Sequence, residues 1–310
     1  MRLAHTRYPM YFQNHNNHHS NNNNNDNNNN HKQPGKCKHR TNHGTARSYK
    51  YHKRDRNKSF LFSLIRDPTS TAISKFFHFI VTIGQVVPTA RNFINDLKQS
   101  HNALVHLRDL TVDPKLRMIG IHNATAGNFT ILPVNYTAVV DDILQAYDFI
   151  AITERMDESL VVLKLLLNLT MKEILYIAPA RSQGSYSNGP AATRPCVYIM
   201  PSFLSPEMND YLQSDDWKRR IVGDELLYMA AYKSLDRTID ALGRDRVQRI
   251  LSQFKKAQAY VQAQCQGQVR SMCDENGNVV RNKTCYIWGE GCDYQCLNSL
   301  TLPSEFLDDE

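Results

Sequence analysis

Residues 59–77 read SFLFSLIRDPTSTAISKFF, and the order of apolar, charged and turn-forming residues in this stretch decides the fold. Phe60, Phe62, Leu64 and Ile65 make a short, nearly continuous apolar run, the pattern of a strand buried in a parallel sheet. Asp67 suits the cap of a following helix and Pro68 its first position, where proline's missing N–H has no partner to lose. Arg66 therefore ends a strand, the place where ligands collect in open α/β sheets. Its guanidinium offers a planar fork of donors to phosphate oxygens, and the hydroxyl of Ser74, eight residues on, adds another donor from the helix. An arginine so placed serves equally to pair with a neighbouring carboxylate, and the tripeptide alone does not choose between the two roles.

Working outward, apolar runs at about 60–65, 117–121, 148–153 and 173–178 read as strands, and the segments at about 69–79, 88–106, 137–145 and 157–168 read as helices. That alternation predicts an α/β fold with a three-layer, mainly parallel sheet. Residues 182–206, rich in Gly, Ser and Pro, read as a surface loop suited to wall a ligand site. Leu227, Ala231, Leu235 and Leu242 mark one helix, and Val247, Ile250, Leu251, Phe254 and Val261 mark the next, with Gly243 as the break. The chain divides into a disordered Asn/His-rich leader (1–40), an α/β domain (41–264) and a Cys-rich tail (265–310).

The 59–77 segment resembles the 3′-phosphate-binding motif of sulfotransferases that use 3′-phosphoadenosine 5′-phosphosulfate, closest to the Golgi carbohydrate enzymes of the galactose 3-O- and heparan sulfate 2-O-sulfotransferase groups. The resemblance implies a P-loop-like sheet and assigns Arg66 and Ser74 to the donor's 3′-phosphate. A basic residue common in that family is replaced here by Thr71. Residues 147–167, YDFIAITERMDESLVVLKLLL, are similar to the family's strand and "TE…DESL" helix, and Asp224-Glu-Leu-Leu-Tyr228 resembles its "D..LY" helix. Asp157 and Glu158 fall in a first helical turn, where carboxylates favour the positive end of the dipole. Glu154 and Arg155, at the carboxyl end of the second strand, are candidates to touch an acceptor sugar, with capping and surface pairing as the competing roles.

Sulfuryl transfer needs a base to take the proton of the attacking hydroxyl, an effect worth about 10² to 10⁴ in rate. In the 2-O-sulfotransferase pattern a histidine ahead of the RDP strand fills that role, and His43, 23 residues before Arg66, is the position that matches. The first 58 residues hold eight of the twelve histidines, so the position is not singled out by composition. The family also holds the 5′-phosphosulfate with a lysine-bearing loop between a first strand and helix. Ahead of residue 41 there is only the Asn/His tract and a superficial Gly35-Lys36 echo, and the expectation is a chain lacking that loop and weak or inactive as it stands. The resemblance implies a glycan acceptor (oligosaccharide, glycolipid or polysaccharide) and no metal. A non-catalytic glycan- or nucleotide-binding protein on the same fold is the alternative, and a secreted interaction protein with coincidental motifs is a third.

The net charge of +7 belongs to the leader: residues 1–58 carry twelve Lys/Arg against two Asp, and residues 59–310 carry 25 against 28. A near-neutral domain argues against nucleic acid as partner. Six Asn-x-Ser/Thr sequons outside the tract, at Asn57, Asn123, Asn128, Asn135, Asn168 and Asn282, fit passage through the secretory pathway. Five of seven cysteines crowd the tail without zinc-site spacing, so disulfides in an oxidising lumen are expected, of a connectivity that spacing does not reveal. A Golgi lumenal location follows from the resemblance. The longest apolar run, 76–87, is too short to cross a bilayer, and a membrane anchor is expected only in an upstream segment.

Overall fold

Ser59–Ile65 forms a strand buried on both faces, and in the computed structural model Leu61, Phe62, Ser63 and Ile65 are all buried. The structure describes residues 10–13, 38–41, 46, 50–99, 102, 104–112, 121–122, 130–131, 135–177, 184–191, 194–265, 272–280 and 294–306. In chain order the elements are β1 (Met10–Gln13), β2 (Lys38–Thr41), β3 (Ser59–Ile65), α1 (Pro68–Lys75), α2 (Ala90–Leu97), α3 (Val105–Leu110), β4 (Ile121–His122), β5 (Thr130–Ile131), α4 (Tyr136–Ala146), β6 (Phe149–Ile152), α5 (Met156–Leu167), α6 (Met171–Ile174), β7 (Ser185–Ala191), β8 (Arg194–Ile199), α7 (Pro206–Gln213), α8 (Asp215–Leu242) and α9 (Arg244–Cys265).

The protein is helix-rich around a small sheet of order β2-β1-β3-β6. β3 and β6 run parallel with Phe62 opposite Phe149 and Ile65 opposite Ile152, whereas β1 is antiparallel to both β2 and β3. Among the described residues the sheet therefore has one parallel pairing, smaller than the mainly parallel sheet expected. β1 and most of β2 belong to the stretch expected as a disordered leader; the rest of that leader lies outside the described residues. All four residues of β6 are buried, under the helices that follow it.

The helices bury two apolar clusters. Residues of α3, α4, α5, α8 and α9 pack with β3 and β6 into one, including Ile143, Ile152, Val161, Leu235 and Phe254. Phe76, Phe77, Phe93, Met208 and Trp217 form the other. α8, 28 residues and so about 42 Å long, contributes to both and ends at Gly243, whose φ of 88° is open to glycine at little cost.

Four local expectations are corrected. α1 is followed without a break by a π-helical segment, Phe76–Ile83, extending past the predicted end at 79. The single helix expected over 88–106 is instead α2 and α3, with Leu104 in a left-handed conformation before α3. Residues 182–206 hold the hairpin β7–β8 rather than a plain loop. The strand expected at 173–178 begins as α6, because Thr170 and Glu173 form a capping box at its start. The Gln258 side chain then serves the backbone N–H and C=O of Tyr176, the groups a neighbouring strand would have paired.

Disulfides join Cys196 to Cys273 and Cys265 to Cys296, tying the hairpin and the end of α9 to the tail. Cross-links of this kind fit a secreted or lumenal protein. Among the described residues no helix is long and apolar enough to cross a membrane.

Candidate functional site at the carboxyl end of the parallel strands

The two parallel strands end side by side, and Thr153 Oγ1 donates to the Ile65 carbonyl at 2.9 Å, fastening the end of β6 to the end of β3. This puts Arg66 and Glu154, 88 residues apart in sequence, against each other: Arg66 Nε lies 3.7 Å from Glu154 Oε1. The Arg66 side chain remains half-exposed, at 45%. Asp67 then caps α1, its Oδ1 accepting from the Ser70 N–H at 2.7 Å, with Pro68 at the helix start as the sequence predicts.

Glu154 is the hub of the site. Its Oε1 accepts from the Asp67 N–H at 3.1 Å and its Oε2 from the Tyr228 hydroxyl at 3.2 Å. Burial, then the Glu154 carboxylate, pushes the Tyr228 phenol up to about 12. Glu225, on the same helix, is raised by burial and by the nearby Asp67 carboxylate, with Lys218 opposing. Arg66 is thus the cation in a neighbourhood of carboxylates.

From below, His106 Nε2 donates to the Arg66 carbonyl oxygen at 2.8 Å; a carbonyl only accepts, so this nitrogen carries the proton. His106 is held in turn by the buried Asp224, whose two oxygens accept the His106 and Leu107 N–H groups at 2.9 Å each. Burial raises the Asp224 pKa, opposed by His106 and by these two amides. Asp224 and Tyr228 stand one turn apart on α8, so a single helix face secures both the backbone of Arg66 and the carboxylate beside its side chain.

Of the residues predicted for the site, Arg66 and Glu154 are brought together. Ser74 lies half-buried on α1, six residues beyond Pro68 and so about 9 Å along the axis. Arg155 points elsewhere: its Nε donates to Glu158 at 2.6 Å, its Nη1 to Asp236 at 2.8 Å, and its guanidinium carbon lies 4.6 Å from the Tyr232 ring centroid. The hydrogen bond to Glu158 leads the interactions that raise its pKa. This is the pairing that stood as the competing role in the sequence. Thr71, where a cation was missed, is buried against the core. His43 lies outside the described residues.

His106 had no motif to reveal it, and Thr153, though inside the 147–167 match, had no role assigned to it. Asp224 had a physical signal: a carboxylate on the same helical stripe as Leu227, Ala231 and Leu235, all buried, needs partners inside the protein. No group of His, Cys, Asp and Glu suited to a metal ion occurs among the described residues. Comparison with known protein families, with curated proteins and with solved structures yields no match to this chain.

Proposed function

We propose that the chain is a carbohydrate O-sulfotransferase domain in which Arg66 and Ser74 hold the 3′-phosphate of 3′-phosphoadenosine 5′-phosphosulfate. The observation that carries this reading is Arg66 itself: a half-exposed guanidinium at the carboxyl end of a strand in parallel pairing, immediately before a capped helix. On this reading the small sheet is the described part of a three-layer, P-loop-like fold. An incoming phosphate displaces Glu154 as the acceptor for Arg66, and α1 presents Ser74 as a second donor.

The reaction is an in-line exchange at sulfur. A glycan hydroxyl attacks the sulfuryl group, the bond from sulfur to the 5′-phosphate oxygen breaks, and the hydroxyl proton passes to His43. Adenosine 3′,5′-bisphosphate leaves with the bonding pair. The lumen in which the disulfides form is assigned to the Golgi.

Calorimetry with adenosine 3′,5′-bisphosphate tests the donor site. Arg66→Ala is expected to weaken binding about 10- to 100-fold, the worth of a charged hydrogen bond of about 1.5–3 kcal/mol. Absence of binding by the wild type, or binding indifferent to the substitution, would falsify the assignment. A second reading, a non-catalytic glycan-binding protein, draws on the carboxylates of Asp67, Glu154 and Glu225 around Arg66, which suit a neutral polyhydroxyl ligand better than a dianion. Glycan binding without bisphosphate binding is its signature.

A further inference from the structure

Three sequons fall on described residues, and the parallel pair sorts them by position. β3 and β6 both run toward the Arg66 site, so their beginnings form the opposite pole. Asn57 is exposed in the turn Arg56–Lys58, directly before β3. That turn is bound to the end of α4 by Arg54, which donates to the Ala146 carbonyl at 2.9 Å, and by Arg56, which donates to the Gln145 carbonyl at 2.5 Å. The seven residues of β3 put about 20 Å between Asn57 and Arg66.

Asn168 is exposed at the end of α5, in a left-handed conformation (φ 49°, ψ 49°) that asparagine tolerates. α5 starts beside the site at Met156, and its 12 residues carry the chain about 18 Å away from it. Asn135 differs. Its Oδ1 caps α4 by accepting from the Ala138 N–H at 3.2 Å, and the ring of the next residue, Tyr136, packs so closely on Gly223 that a Cβ there would come within 2.8 Å of it. Gly223 precedes Asp224, the anchor of His106, so Asn135 belongs to the pole of the site.

We propose that Asn57 and Asn168 carry N-linked glycans, which stand at the pole away from the carboxyl ends of β3 and β6 and leave those ends clear. At each acceptor the side-chain Nδ2 bonds to the anomeric carbon of an oligosaccharide carried on a polyisoprenyl diphosphate. The bond from that carbon to the diphosphate oxygen breaks, the diphosphate leaves with the electron pair, and one amide proton is released to solvent. In the folded protein the sequon hydroxyls are engaged, Ser59 Oγ with the Asp55 carbonyl and Thr170 Oγ1 with Glu173 at 2.9 Å, so transfer precedes closure of these turns. The inference rests on entry into an oxidising, glycosylating compartment and not on the sulfotransferase reading.

The test is translation of the full chain behind a cleavable secretion signal with endoplasmic-reticulum microsomes, followed by peptide-N-glycosidase digestion in heavy-oxygen water and peptide mass spectrometry. Isotope-labelled aspartate at positions 57 and 168 is the expected result, with N57Q and N168Q each removing one glycosidase-sensitive gel step. An unlabelled peptide at 57 or at 168 overturns the proposal.

Discussion

Arg66 and Arg155 stand just beyond the ends of two neighbouring parallel strands, yet the protein treats them oppositely. Arg155 is 13% exposed, hydrogen-bonded to two carboxylates and laid over a tyrosine ring, whereas Arg66 is 45% exposed with its single described ion pair at 3.7 Å. A guanidinium satisfied on both edges and one face is a strut, because its donors are spent inside the fold. One with donors left toward solvent keeps them open to a ligand, as the proposed function requires. The difference comes from α8, which brings Asp236 and Tyr232 to Arg155 but only Tyr228, through Glu154, to Arg66.

The largest expected effect tests the strut. Arg155→Ala leaves the Glu158 and Asp236 carboxylates without their shared cation and is expected to cost about 2–3 kcal/mol of stability in urea unfolding. Arg66→Ala, losing one exposed pair, should cost at most about 1 kcal/mol. Equal losses in the two variants would erase the contrast.

A smaller effect tests whether Glu154 competes with a ligand for Arg66. Glu154→Gln keeps an oxygen for the Asp67 N–H but removes the negative charge, and should tighten adenosine 3′,5′-bisphosphate binding roughly three- to tenfold, or about 1 kcal/mol. Weaker binding in titration would instead make Glu154 a support for the ligand.

The smallest effect concerns Tyr228. In the unfolded chain its phenol ionises near 10.0, while in the folded protein it holds its proton to about 12. The native state then binds more protons between those values, so stability falls as pH rises through that window. The advantage of wild type over Tyr228→Phe should shrink from pH 10 to about 12 in denaturation curves, and a constant difference would detach Tyr228 from Glu154.

β3, β6, α1, α4 and α5 were legible because each is specified by neighbours in sequence: an apolar run, a capping Asp67, a proline at the helix start, a periodic leucine face. Residues 173–178 misled for the same reason. Their apolar run reads as a strand, but a local capping box and a glutamine from α9 satisfy the backbone without a sheet. The hairpin β7–β8 was hidden by its Gly, Ser and Pro content, and Cys196 of β8 is tied to Cys273 across 77 residues.

By itself the sequence determined that a strand ends at Arg66, that a helix opens behind it, and that the cysteines belong in an oxidising compartment, since strand burial, helix capping and thiol chemistry act over a few residues. Only the tertiary structure decided which carboxylate faces Arg66, that His106 grips its carbonyl, and that Arg155 is spent on Glu158 and Asp236. Except for Arg155 with Glu158, one helical turn apart, those contacts join segments tens of residues apart, and the ones that α8 makes or braces exist only once it packs across the ends of both strands.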